Sequence, residues 1–445
     1  MALALLSHVV ADLTLGKPAL PWLPSTASVR DAIAALKQLD DVSELSIWGC
    51  STKACSPDLS FIGSVSPASA PGGHRNCLCI GKICMQRVIC YLASEKTIID
   101  LQGALNAPVT DLLEHFPPKT VIQHVDPDAS LREALDLIVK GAQNLVVPIT
   151  RRGGHEDRRS LTPKSRISTV SSSIQIPKDH GGQEYCWLTP EDVLRFLLGS
   201  ISVFSPLPMT SIEDLGLIRT DVRTVKAEED AYSALEMIKE ACHYLSAVGI
   251  IDANEADSAS SQLIGDISCS MLQTCNEMAS LALMVLSAGD FLAFAQDCRN
   301  PPQVLVEMIR TRLREKLGLL KDSLNADRGM EKPWSANFLL RKLDMWEESS
   351  SEDDESGADS PSGPHDLLHK WHSFHLRSSR KSFTVRSRSG PIFCNPRSSL
   401  VAVLLQALAH REHYVWVTEE DDSLLGIVTF RDIITVMFNH INVFT

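Results

Sequence analysis

Two pairs of side chains in this sequence have the types and spacing to grip a sugar and a phosphate. Thr429 and Asp432 stand three residues apart in LLGIVTFRDIITV (424–436), and Thr189 and Asp192 repeat the spacing in YCWLTPEDVLRFLL (185–198). Where a strand enters a helix, a carboxylate can accept hydrogen bonds from two vicinal ribose hydroxyls. The Thr hydroxyl and the open helix N-terminus attract phosphate. The same pair can instead serve only the helix, with Thr capping it and Asp reaching back to the amide of the cap. Two features favour a ligand. Reaching back suits the longer Glu or Gln better than Asp. The pair is also incomplete at two corresponding places, which hold Cys84 with Arg87 and Ser268 with Met271. A capping requirement would apply to all four helices, whereas a ligand requirement need not.

The other expected contacts are ranked by the same logic. Arg431, next to Asp432, is the first choice for a phosphate, and Ser268 keeps part of a third site. Arg195, His410, Arg411 and His413 read as ordinary surface groups. Gly426 begins the junction before Thr429, while Cys186 takes that place before Thr189. A Cβ and a sulfur there would crowd a close approach that Gly permits, so the later pair is the better site.

These residues must be held by repeated elements. Four segments share a helical apolar pattern: SVRDAIAALKQL (28–39), SLREALDLIVKG (130–141), DAYSALEMIKEA (230–241) and SLVAVLLQALAH (399–410). Each precedes a short β-type run: LSIW (45–48), LVVPI (145–149), SAVGIID (246–252) and YVWVTE (414–419). A second strand entering a second helix follows: IGKICMQRVICYL (80–92), YCWLTPEDVLRFLL (185–198), LIGDISCSML (263–272) and LLGIVTFRDIITV. The unit is therefore an extended segment, helix, strand, strand and helix, repeated four times in an α+β chain whose helices cover one face of each small sheet. From Ala32, Ala134, Ala234 and Val403 to the Thr position the separations are 52, 55, 34 and 26 residues. The excess falls at the strand–strand turn, as in the Ser- and Gly-rich insertion 150–182, which is expected to be disordered.

The G-h-h-T-x-x-D element of CBS domains is met in full by GIVTFRD (426–432). The whole arrangement resembles plant four-repeat CBS domain-containing proteins, the CBSX group. ICMQRVICYL, KGAQNLVVPI, FSPLPMTSIEDLGLI and CNPRSSLVAVLLQALAHR share in the likeness. It implies repeats at 16–97, 116–201, 202–295 and 390–445, pairing into two pseudo-symmetric Bateman modules. An amphipathic helix at 296–320 and a disordered linker at 321–389 complete the chain. It also implies AMP, ADP or ATP in the clefts with no obligatory cofactor, a regulated partner such as a kinase or metabolic enzyme, and a homodimer by analogy. The alternative is a ligand-free scaffold for protein–protein interaction.

Composition bounds these readings. The 445 residues are 44% hydrophobic and 22% charged, enough for two or more cores. A formal charge of -13 argues against a nucleic-acid partner. MALALLSHVV lacks the flank and cleavage pattern of a secretory signal. The apolar run 278–295 is interrupted by Ser287, Gly289 and Asp290, so two short packed helices are expected there rather than a membrane span. The expected place is the cytoplasm, with the nucleus as alternative because of the basic stretch HKWHSFHLRSSRKSFTVRSRSG (369–390). No Walker loop, nucleophile elbow or H-E-x-x-H occurs, and the chain reads as no enzyme. Cys50, Cys55, Cys77 and Cys79 lack paired C-x2-C spacing, which favours reduced thiols over zinc.

The linker joins EESSSEDDESGADSPSG (347–363) to the basic stretch. Ser349, Ser350, Ser351, Ser378, Ser379 and Ser382 are candidate phosphorylation sites, and Trp371, Phe374 and Phe383 candidate docking residues. Ahead of it, Leu305, Met308, Ile309, Leu313, Leu317 and Leu320 form one helical face, for which core packing is expected.

Overall fold

The computed structural model describes residues 5–39, 43–50, 77–94, 96–97, 100–116, 122–149, 176–177, 179–180, 182–252, 262–327 and 390–443. Cys55, most of the insertion 150–182 and the phosphorylation and docking candidates of the linker lie outside the described residues.

An N-terminal arm with helix α1 (Val10–Leu13) precedes unit 1, which comprises β1 (Trp22–Pro24), α2 (Val29–Gln38), β2 (Glu44–Cys50), β3 (Cys77–Cys84) and α3 (Met85–Leu92). Helices α4 (Leu101–Asn106) and α5 (Val109–Glu114) follow. Unit 2 has β4 (Ile122–His124), α6 (Leu131–Val139), β5 (Asn144–Pro148), β6 (Asp179–His180), β7 (Gln183–Leu188) and α7 (Pro190–Leu198). Unit 3 has β8 (Thr224–Lys226), α8 (Leu235–Tyr244), β9 (Ala247–Ile251), β10 (Leu263–Ser268) and α9 (Cys269–Thr274), followed by α10 (Ala279–Val285), α11 (Ala288–Gln296) and α12 (Gln303–Asp327). Unit 4 has β11 (Phe393–Cys394), α13 (Leu400–His410), β12 (Tyr414–Thr418), β13 (Leu424–Thr429) and α14 (Phe430–Val443).

The first helix of three units starts at a Ser N-cap. Ser28, Ser130 and Ser399 accept from the amides of Asp31, Glu133 and Ala402. In every unit the first strand lies parallel to the second, and the second antiparallel to the strand that enters the last helix of the unit (β3, β7, β10 and β13), with β6 an added edge strand on β7. A helical crossover supplies the parallel step.

Each sheet has two covered faces, and they meet different neighbours. On the helical side, units 1 and 3 share one hydrophobic core, and units 2 and 4 share another. On the opposite side, Leu20, Trp22, Trp48, Val146 and Trp187 join the sheets of units 1 and 2. Ala247, Tyr414, Trp416 and Ile427 do the same for units 3 and 4. The α+β arrangement of four paired units is thus the one expected. A continuous buried face on both sides of a sheet requires it, because neither face alone could be left in water.

Residues 98–115 were expected to lie outside any repeat, yet α4 and α5 extend unit 1. Val29 N–H donates to Ala107 O at 2.9 Å, and Val109 N–H to Ala27 O at 2.8 Å. The run 278–295 forms two helices, as its interruption predicts, with Ser287 capping α11 through the Asp290 amide. Leu305, Ile309, Leu313 and Leu317 of α12 are buried in the core of units 1 and 3. That helix continues through Asp327, beyond the expected boundary at 320. No helix among the described residues is long and apolar enough to cross a membrane.

Candidate functional site

In unit 4 the buried end of β13 passes directly into α14. Asp432 Oδ2 accepts from the Thr429 amide at 3.0 Å and from its hydroxyl at 2.6 Å, and Thr429 Oγ1 accepts from the Asp432 amide at 3.4 Å. Unit 2 repeats this at 2.8, 2.6 and 3.3 Å between Thr189 and Asp192. Both are capping boxes built with Asp, the capping alternative of the two readings, made although Glu or Gln would reach back more easily. The extended backbone of Thr189, at φ -107° and ψ 161°, turns its amide towards the first helical turn and closes the gap. The pair therefore has a structural role in both units. It uses one carboxylate oxygen, and Asp432 Oδ1 makes no hydrogen bond among the described residues.

Gly426 is required by its surroundings. A Cβ at this position would stand 2.4 Å from Arg219 O and 2.7 Å from Ile218 Cγ2. Without it, the segment before β8 lies against β13, where the Arg219 and Ile427 amides each donate to the other's carbonyl at 3.0 Å. The close approach foreseen at Gly426 is made by the chain itself.

A cleft of about 350 Å³, including its open mouth, separates this segment from the seam of units 3 and 4. Arg219, Asp221, Val222 and Arg223 form one wall. Tyr244, Ser246 and Ala247 form the second, around Leu245, whose left-handed φ of 53° ends α8. Trp416, Ile427 and Thr429 complete it from unit 4. Arg219 pairs with Asp221 at 3.4 Å, and Arg223 pairs with Glu240 at 2.7 Å while lying over the Tyr244 ring.

The other expected residues are placed differently. Asp192 Oδ2 also takes the Lys17 ammonium, which donates to Trp187 O at 2.7 Å as well. Ser268 accepts from the Met271 amide at 3.1 Å and shares a 2.8 Å hydrogen bond with Ser270, which bonds Glu412, while Met271 stands where the other two sites have Asp. Cys84 makes no cap, and the Arg87 guanidinium turns to Lys82 O and the Phe116 ring. Arg431 does not face the cleft partner expected of it: its guanidinium donates to Val139 O at 2.9 Å, at the C-terminal end of α6. A carbonyl at the negative end of a helix dipole holds a guanidinium well, so the residue expected to take a phosphate is engaged by the chain itself. Arg195 pairs with Glu191.

The chain is 38% identical to the CBS domain-containing protein CBSX5 of Arabidopsis thaliana, over 98% of both chains. It belongs to the CBS domain-containing family. The CBS domain model itself matches residues 385–439, which carry unit 4. The Arabidopsis thaliana CBS domain-containing protein CBSX6 is 27% identical over 98% of this chain and 95% of its own. The SNF1-related protein kinase regulatory subunit gamma-like PV42b of the same plant is 20% identical over 48% of this chain and 57% of its own. The sheet-to-sheet pairs are then the two Bateman modules, CBS units 1 with 2 and 3 with 4.

The seam of CBS units 3 and 4 is polar where it approaches the cleft. Buried Asp266 accepts from Tyr414 Oη at 2.7 Å and Trp416 Nε1 at 2.8 Å. Burial pushes its carboxyl up, against the pull of those two donors. Glu412, bonded to Ser270, is pushed up to about 7, chiefly by burial and further by the Asp266 charge. In CBS unit 1, burial opposes ionisation of Glu44, but the Lys82 ammonium at 2.8 Å outweighs it and holds the carboxyl below the usual range. The cysteines with described side chains are free thiols, and among the described residues no group of three or more His, Cys, Asp or Glu is arranged for a metal ion.

Sequence reasoning missed Lys17, Arg219, Arg223, Asp266 and Glu412. One signal was available: a basic residue stands five positions before β1 and again before β8.

Proposed function

We propose that this chain is a non-enzymatic regulatory protein that takes AMP, ADP or ATP into the cleft between CBS units 3 and 4 and relays its occupancy to a partner protein. The observation that carries this reading is an open cleft with Thr429 in one wall and two guanidinium groups in another. The space its walls now enclose is only about 20 Å³, so a nucleoside must enter through the open mouth and part the walls. Asp432 is not among the residues lining the cleft, but it bonds Thr429, which is, and its Oδ1 is left over from the cap to receive a ribose hydroxyl once the walls part. Val222, Ala247, Ile427 and the Tyr244 ring offer apolar surface to a base. Arg219 and Arg223 suit phosphate oxygens, since their present carboxylate partners form surface pairs worth little.

Coupling follows from position. A ligand in the seam of two units favours the relative placement in which it makes most contacts, and a partner that senses that placement responds. The kinase regulatory name carried by one relative supports a protein kinase as the partner class, with a metabolic enzyme as the other expectation. Calorimetric titration with the three nucleotides tests the reading: wild type releases heat at one site and Asp432→Asn loses most of it. No heat from wild type removes the ligand.

A second reading, a ligand-free adaptor, is favoured by the inward turn of both Asp Oδ2 atoms onto their own caps. On it, Asp432→Ala costs about 1 kcal/mol of stability, and partner capture is unchanged.

A further inference from the structure

We propose that Lys17 is a built-in occupant of the CBS unit 2 site, so that the chain presents one open nucleotide cleft and keeps the other closed with its own N-terminal arm. The inference rests on the nucleotide reading for what the site would otherwise take.

The two Bateman modules can be laid on one another by their first strands. Lys17 stands five residues before Trp22, the first residue of β1, and Arg219 five before Thr224, the first of β8. At the other wall, Cys186 and Gly426 each stand three residues before the site Thr. The missing Cβ of Gly426 lets the main chain of Arg219 bond Ile427 through its own amide and carbonyl. Cys186 is buried and fills that space with its Cβ and sulfur, the thiol directed at Val147 O at 3.7 Å. The arm bonds one step earlier instead, with Leu20 N–H donating to Tyr185 O at 2.8 Å. The Trp187 carbonyl, counterpart of Ile427 O, is then taken by the Lys17 ammonium rather than by a backbone amide.

That ammonium also bonds the carboxylate a ribose would need. In unit 4 the counterpart Arg219 points its charge at Asp221 and leaves Asp432 to its cap. Two differences, Cys186 for Gly426 at the strand and Lys17 for Arg219 on the arm, thus separate the self-filled site from the open cleft. Lys17 is not a loose surface side chain, being only 23% exposed against 70% for Lys140. The arm that carries it is fastened by Val10 N–H to Ala129 O at 2.9 Å and Leu131 N–H to His8 O at 2.8 Å. Leu5, Leu6 and Val10 are buried in the core of units 2 and 4.

The test is calorimetric stoichiometry with AMP and with ATP on the full chain. Wild type should bind one equivalent, lost in Asp432→Asn. Lys17→Ala and Lys17→Met, the second keeping the aliphatic stem, should each bind two, the added one lost on combination with Asp192→Asn. Lys17 variants that bind no more equivalents than wild type overturn the proposal, as does a wild type already using Asp192. If wild type binds nothing but Lys17→Ala binds one Asp192-dependent equivalent, the proposal stands and the unit 4 reading falls. A ligand-free readout comes from amine acylation followed by peptide mass spectrometry. Lys17 should react several-fold more slowly than Lys140 and speed up in Asp192→Asn, and equal rates in wild type and variant would overturn the contact.

Discussion

Replacing Gly426 by Ala should loosen the segment that walls the cleft. The new Cβ would meet Arg219 O at 2.4 Å and Ile218 Cγ2 at 2.7 Å. The nearer atom belongs to the main chain and cannot rotate away. Relief requires the 218–219 segment to lift from β13, breaking the two 3.0 Å hydrogen bonds between Arg219 and Ile427. A backbone hydrogen bond is worth about 1 kcal/mol net, and overpacking costs about 1–3 kcal/mol. Relaxation trades one cost for the other, so a loss of about 1–3 kcal/mol is expected. Urea unfolding followed by tryptophan fluorescence measures it as a lowered midpoint at unchanged slope. Gly318→Ala is the control of opposite sign: nothing lies within 4 Å of its added Cβ, and Ala inside helix α12 should stabilise by about 0.5–1 kcal/mol. A loss smaller than about 0.5 kcal/mol for Gly426→Ala would refute the close-approach argument, because ordinary surface substitutions change stability by that much.

Glu412 supplies a pH dependence. Its folded value of about 7 lies above the ordinary 4.5, so its contribution is full below pH 4.5, declines as pH rises and is gone above 7. That separation corresponds to at most about 3 kcal/mol, and Glu412→Gln should flatten the stability profile across this window by up to that amount. An unchanged slope would assign it to another group, with Asp266 next in line because its shift has the same sign. In CBS unit 1, Lys82→Met should strand the partly buried Glu44 carboxylate at a cost of about 3–5 kcal/mol, most of it recovered when Glu44→Leu is added. A neutral single variant in thermal unfolding would contradict the ion-pair account.

Most of the fold could be read in the sequence because each unit repeats its apolar periods. Ala32, Ala134 and Val403 occupy buried slots on the first helices, and Ala234 is buried in the 3-10 turn that leads into α8. The six-residue helices α4 and α5 were invisible because so few residues carry no helical period, and their stability comes from packing against α2. The Thr and Asp pairs were legible as strand-to-helix junctions, and their capping hydrogen bonds as one of two readings, but the choice between cap and ligand was not. Asp reaches the cap amide through an extended backbone that composition does not reveal. The opposite wall of the cleft was hidden for another reason. Arg219 and Ile427 are about two hundred residues apart in the sequence, and only the Gly426 gap brings them together. The crosswise pairing of units, sheets 1 with 2 and helices 1 with 3, likewise depends on faces that look equally apolar in the sequence.

The central claim is that the seam of CBS units 3 and 4 holds a nucleoside on Thr429 and Asp432. Crystals grown with AMP test it most directly. The account predicts density in the cleft, with a ribose hydroxyl on Asp432 Oδ1 and phosphate near Arg219 or Arg223. An empty cleft at saturating AMP, with both Asp432 oxygens turned to the cap, would contradict it.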